Sequence, residues 1–133
     1  MASQKPELIT GLPRFAPMEG HFHEVPIFLA QDMFNGLPVE IAGGDISKLV
    51  GIPVADTHVH AVPEIYLLLS PEKGGAEIEI EVDGERFVAT SPAAFYVPAG
   101  ARHRFLTRKA ERGSYCLGIL LHDRKRAEDG GQG

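Results

Sequence analysis

Apolar and polar residues alternate without interruption through Ala76–Glu77–Ile78–Glu79–Ile80–Glu81–Val82. A period of two predicts a half-buried β-strand, with Ile78, Ile80 and Val82 on the core face and the three glutamates in solvent. Asp83–Gly84 follows directly and is a two-residue hairpin signal, so the chain is expected to return antiparallel through Arg86–Ala89. Shorter apolar runs or alternations at Glu24–Leu29, Leu37–Ile41, Ile65–Leu69, Ala93–Val97, Arg104–Thr107 and Ser114–Leu121 read as further strands. Gly43–Gly44, Gly51–Ile52–Pro53 and the loop Ser70–Gly75 punctuate them. No stretch carries the period of an amphipathic helix, and Asp45–Val50 makes one turn at most. Many short strands separated by turn signals predict an all-β barrel of antiparallel strands. Residues 1–20, rich in Pro, Gly and polar side chains, read as an N-terminal arm. Residues 21–122 form the single domain, and 123–133, charged and glycine-rich, a flexible tail.

Composition restricts function more than fold. A chain of 133 residues has room for one hydrophobic core and not two. Its net charge of −5 speaks against nucleic acid as a partner, which calls for a basic excess. The single cysteine, Cys116, cannot close an internal disulfide, so a reducing cytoplasm is the expected compartment. Leu67–Leu69 is far too short an apolar run for a membrane span, and the first eleven residues lack the apolar core of a secretory signal.

The candidate chemistry lies in two short segments. His58, His60 and Glu64 fall at even spacing, which on a strand aims all three side chains to one face. A Pro98/Gly100 turn then delivers His103 from a separate strand. Three imidazoles and a carboxylate hold a divalent transition metal and leave two octahedral positions open for substrate. Burying the same four groups without a cation costs several kcal/mol, about enough to disfavour a metal-free relic. Iron(II) is the first choice, with manganese, nickel and zinc compatible with the same donors. A purely structural zinc would favour thiolates, and Cys116 stands alone.

Parity nominates the neighbours of this cluster. Tyr66 is expected to project into the cavity, where a phenol orients substrate or moves a proton. Leu68 and Phe105 are expected to supply apolar walls, and Tyr96 joins them unless a bulge before Pro98 reverses its face. The second His-x-His, His21 and His23, has no carboxylate attached and reads as a surface or subunit-contact feature. Arg102, Arg104, Arg108, Lys109 and Arg112 read as a solvated basic face. Arg102 and Arg104 flank His103, so steering of a carboxylate-bearing substrate is the functional alternative for them. Cys116 reads as an inert, small apolar residue.

The segments HVHAVPE at 58–64 and PAGARH at 98–103 resemble the paired motifs of the cupin superfamily. Outside those cores the chain departs from the pattern: Pro71 stands at a glycine position, Ser91–Pro92 replaces another, and Thr107 takes the place of an asparagine. The resemblance spans residues 50–122 and implies a double-stranded β-helix, a jelly-roll-like barrel with one metal on His58, His60, Glu64 and His103. It further implies an iron(II)-dependent oxygenase or dioxygenase acting on a small organic molecule, with Tyr66 and Glu64 taking part in catalysis. A non-redox isomerase, lyase or cyclase is the alternative, in which zinc, manganese or nickel is a Lewis acid and Glu64 a base. A non-catalytic small-molecule-binding barrel is the third reading. Barrels this short commonly complete their core by pairing, so a homodimer that uses the N-terminal arm is expected.

Overall fold

The computed structural model describes residues 5–18 and 20–122, so the tail expected at 123–133 lies outside the described residues. In chain order the strands are β1 (Arg14–Ala16), β2 (Val25–Leu29), β3 (Val39–Asp45), β4 (Glu64–Leu69), β5 (Ala76–Val82), β6 (Glu85–Thr90), β7 (Ala93–Val97), β8 (His103–Ala110) and β9 (Tyr115–Leu121). A single 3-10 turn at Met33–Asn35 is the helical element among the described residues. The strands form two antiparallel sheets, one in the order β1-β2-β3-β9-β4-β7 and the other β6-β5-β8.

Strand β5 shows why the alternating stretch folds as it does. Ile78 and Ile80 are 0 % exposed, and Leu68, Val97, Ile46 and Cys116 belong to the same buried cluster. Burying each isoleucine stabilises the fold by roughly 1.5–3 kcal/mol relative to exposure. The hairpin forms at Asp83–Gly84 with positive φ at both residues, the geometry that suits the twist of the flanking strands. On the opposite face the glutamates meet the basic run. Arg108 lies 3.6 Å from Glu77 and 3.3 Å from Glu79, and Arg104 lies 3.5 Å from Glu81. These pairs are solvent-screened. Arg108→Ala is expected to change unfolding free energy by no more than about 1 kcal/mol in a urea titration.

Two boundaries differ from those read in the sequence. Gly43–Gly44 does not break the chain: β3 runs through both, paired with Leu117 and Cys116 of β9. Gly43 is glycine because a Cβ there would collide with the Cys116 carbonyl. The second difference concerns the N-terminal arm. Its residues 14–16 are β1, paired within the chain to Val25–Ile27 at the edge of the larger sheet.

Candidate metal centre

His58 and His60 do not sit on a regular strand. They occupy irregular backbone ahead of β4, and only Glu64, its first residue, has strand geometry. Main-chain bonds to the second segment make the convergence instead. The His58 N–H donates to the His103 carbonyl at 3.0 Å, and the His103 N–H donates back to the His58 carbonyl at 2.8 Å. The Gly100 N–H donates to the His60 carbonyl at 2.9 Å. One residue from each segment is thereby fixed against the other, where the larger sheet's chain meets the smaller sheet's β8.

The four side chains gather so that one donor atom from each lies within 4.8 Å of every other. Donors about 2.1 Å from a shared transition metal stand at most about 4.2 Å apart, so sub-ångström adjustments let all four reach one ion. The two best-fixed imidazoles are also oriented. His58 Nδ1 lies 2.8 Å from the Asp56 carbonyl and His103 Nδ1 lies 2.9 Å from the Ala101 carbonyl. Each Nδ1 donates to its carbonyl, which turns Nε2 toward the cluster, where it offers a lone pair to a cation once the ring is neutral. Glu64 Oε1 lies 2.8 Å from His103 Nε2 and 3.5 Å from His60 Nε2. The donor set therefore fits a divalent transition ion, and its composition does not select among iron, manganese, nickel and zinc.

Electrostatics divide the three imidazoles. Burial lowers the pKa of His58 and of His60 and keeps both rings neutral. Burial acts the same way on His103, but the hydrogen bonds to Glu64 and to the Ala101 carbonyl outweigh it and raise that pKa. His103 must therefore shed a proton before it can ligate. The sign follows: metal affinity is full at alkaline pH and falls as pH drops through a value above the ordinary imidazole pKa of about 6.5. Below that value a loss of roughly tenfold per pH unit is expected in a chelator-competition titration, from the one competing proton. An affinity that stays flat from pH 8 to 6 would remove His103 from the ligand set.

A cavity of about 240 Å³ opens beside the cluster, and His58, His60, Glu64, Tyr66 and Phe105 all border it. Tyr66 is buried, with its ring 6.1 Å from that of His103 and 5.2 Å from that of Phe105. Burial, with the charge of Glu64 adding to it, lifts the phenol well above its usual pKa, so Tyr66 stays protonated. Cys116 also borders the cavity, and burial pushes its thiol up to about 12. The thiol is therefore protonated, and Cys116 is not among the four clustered donors.

Two expected wall residues stand elsewhere. Leu68 has inward parity and is 1 % exposed, but it packs in the core cluster and does not border the cavity. Four residues beyond Glu64 on an extended strand carry it about 13 Å past the ligands. Tyr96 is 58 % exposed. The strand is unbulged, and its register sets the face: Val97 opposes Glu64 and Tyr96 opposes Ile65, so Phe95 and Val97 point in and Tyr96 points out.

Three contributors escape a reading of the sequence motifs. His21 bridges to Ala55, and its ring lies 5.2 Å from His58 at the cavity border, where His23 joins it. The pair therefore belongs to the neighbourhood of the cluster. Gly118 of β9 is the third. A Cβ there would collide with Glu64 Oε2, so the absence of a side chain makes the notch that holds the carboxylate. A glycine inside an otherwise apolar strand signals such a close approach and was the available clue.

No protein-family model matches the sequence, and none of the curated proteins does. Solved structures do match. A Cupin 2 conserved barrel domain protein from Salinispora arenicola aligns with 97 % of this chain and 96 % of its own at 17 % identity and a TM-score of 0.57. An RmlC-like cupin from Shewanella frigidimarina aligns with 93 % and 97 % at 13 % identity and a TM-score of 0.53. A protein from Planctomyces limnophilus aligns with 91 % and 94 % at 21 % identity and a TM-score of 0.56. Identities this low speak for architecture alone. The chain has the fold of the cupin superfamily, as its two motifs imply, with a His58–His60–Glu64–His103 group able to hold a metal ion. No helix among the described residues is long and apolar enough to cross a membrane.

Proposed function

We propose that this chain is a metal-dependent enzyme acting on a small organic molecule, with iron(II) on His58, His60, Glu64 and His103 and dioxygen as the second substrate. The observation that carries this reading is the placement of the four-donor cluster at the wall of a cavity that is mostly apolar. When bound there, iron(II) supplies a one-electron redox partner with coordination positions that the protein does not fill. The chain's own residues do the rest. Val25, Ile27, Phe105 and Leu120 border the cavity and keep water from the reacting groups. The backbone carbonyls of Asp56 and Ala101 hold the His58 and His103 rings in one tautomer and one orientation. Tyr66, held protonated by burial, donates a hydrogen bond to substrate or delivers a proton to product. Phe105 against Tyr66 restricts how that phenol can turn.

The test begins with elemental analysis of protein purified without added metal, followed by anaerobic loading with iron(II) or zinc(II). Oxygen uptake matching product formation, present with iron and absent with zinc, is the expected result for a panel of small chelating substrates. Turnover undiminished under strict anaerobiosis, or undiminished with zinc, would overturn the oxygenase reading. It would assign the cluster to isomerase, lyase or cyclase chemistry, with Glu64 or Tyr66 handling the proton.

A further inference from the structure

The walls of the cavity restrict the charge of what it can hold. Apart from the protonated Tyr66 and Cys116, its ionisable lining consists of imidazoles and carboxylates: Glu24, Glu40 and Asp45 border it together with Glu64. No Arg or Lys among the described residues does. The basic residues nearest in sequence face away. Along β8, His103 and Thr107 are buried and Phe105 is partly buried, while Arg104 and Arg108 have the opposite parity and lie against the outer glutamates of β5. Arg102 is exposed and does not border the cavity. Steering of a carboxylate substrate by Arg102 and Arg104 therefore has no geometric support. Asp45 is committed as an anion, its Oδ1 accepting the Ser47 N–H at 2.8 Å. Glu40 is committed to His122, 2.7 Å away.

Charge balance at the cluster points the same way. A dication with the single carboxylate of Glu64 keeps about one positive charge, which one deprotonated chelating oxygen satisfies. Any further anionic group on the substrate would lie among Val25, Ile27 and Leu120 or next to glutamates, with no Arg or Lys to compensate its lost hydration. We infer that the centre accepts small chelators that are otherwise neutral and apolar, and turns away organic acids that carry a second negative charge. The inference rests on the metal-dependent reading above and names the substrate class of that same site.

A matched pair of probes separates charge from shape. Comenic acid and its methyl ester share one hydroxypyranone chelating edge and differ in a carboxylate on the ring. Binding of each to the cobalt(II)-loaded full chain is measured at pH 8 by calorimetry and by the visible cobalt bands, with no turnover required. The ester is expected to bind roughly tenfold or more tightly than the acid, the cost of an uncompensated carboxylate in an apolar wall. Equal affinity, or tighter binding of the acid, overturns the inference while leaving the metal reading intact. Failure of the protein to take up cobalt, visible before any probe is added, sinks the metal reading and this inference with it.

Discussion

His103→Ala is expected to strip the protein of most of its metal while leaving the barrel folded. Four-ligand sites of comparable donors bind their ion with roughly 10–16 kcal/mol, so one ligand is worth about 3 kcal/mol, or about a hundredfold in affinity. His103 should reach that figure, because its side chain is 1 % exposed and its Nδ1 is already held by the Ala101 carbonyl. Little ordering remains to be lost when the ion binds. The substitution spares the architecture for a separate reason. The two hydrogen bonds that join residue 103 to His58 are main-chain bonds, and alanine keeps both groups. Elemental analysis and circular dichroism on the same sample make the check: metal well below one equivalent with an unchanged spectrum is expected. Stoichiometric metal in the variant would refute the assignment of this ligand.

Gly118→Ala is expected to weaken metal binding by about 10–100-fold although residue 118 touches no metal. The added methyl takes the space of Glu64 Oε2, and the carboxylate is the movable partner, since the backbone of β9 is fixed by pairing to β3 and β4 on both sides. Turning Glu64 aside breaks its 2.8 Å contact with His103 and withdraws the only anionic donor from the cluster. The same substitution should cost little stability, because the neighbour that must give way is the end of a flexible side chain. A variant with unchanged affinity in a chelator competition would show that Glu64 does not depend on this notch. A variant that failed to fold would instead mean that the strand, not the carboxylate, yields.

Much of the architecture was legible because burial on one face leaves a period of two. Strand β5, its hairpin at Asp83–Gly84 and the strand Ala93–Val97 lie where alternation and turn chemistry put them. The ligand cluster was legible for another reason: three of the chain's six histidines and a carboxylate, His58, His60, Glu64 and His103, stand in a fixed spacing. The spacing was right and the stated cause was not. His58 and His60 reach the cluster from irregular backbone pinned by hydrogen bonds to His103 and Gly100, and such long-range pairing leaves no local signature. Parity also says nothing of depth, which is why Leu68 faces inward yet lies in the core. At Tyr96 the register with Ile65 decided the face, and register depends on the partner strand. Gly43 looked like a break because a glycine needed for close approach and a glycine needed for a turn are the same letter. The placement of His21 beside His58 rests on its bridge to Ala55, thirty-four residues away, and no spacing rule reaches that far.

The reciprocal pair of peptide hydrogen bonds between His58 and His103 has a mechanical consequence. The residues that stitch one sheet's chain to the other also offer two of the four donors, so prising the layers apart at that seam and releasing the ion become a single event. Ion exchange would then be paced by breathing of the barrel rather than by rotation of side chains. Deuterium uptake at those two amides, slow in loaded protein and faster after chelation, would read occupancy of the centre directly from the backbone.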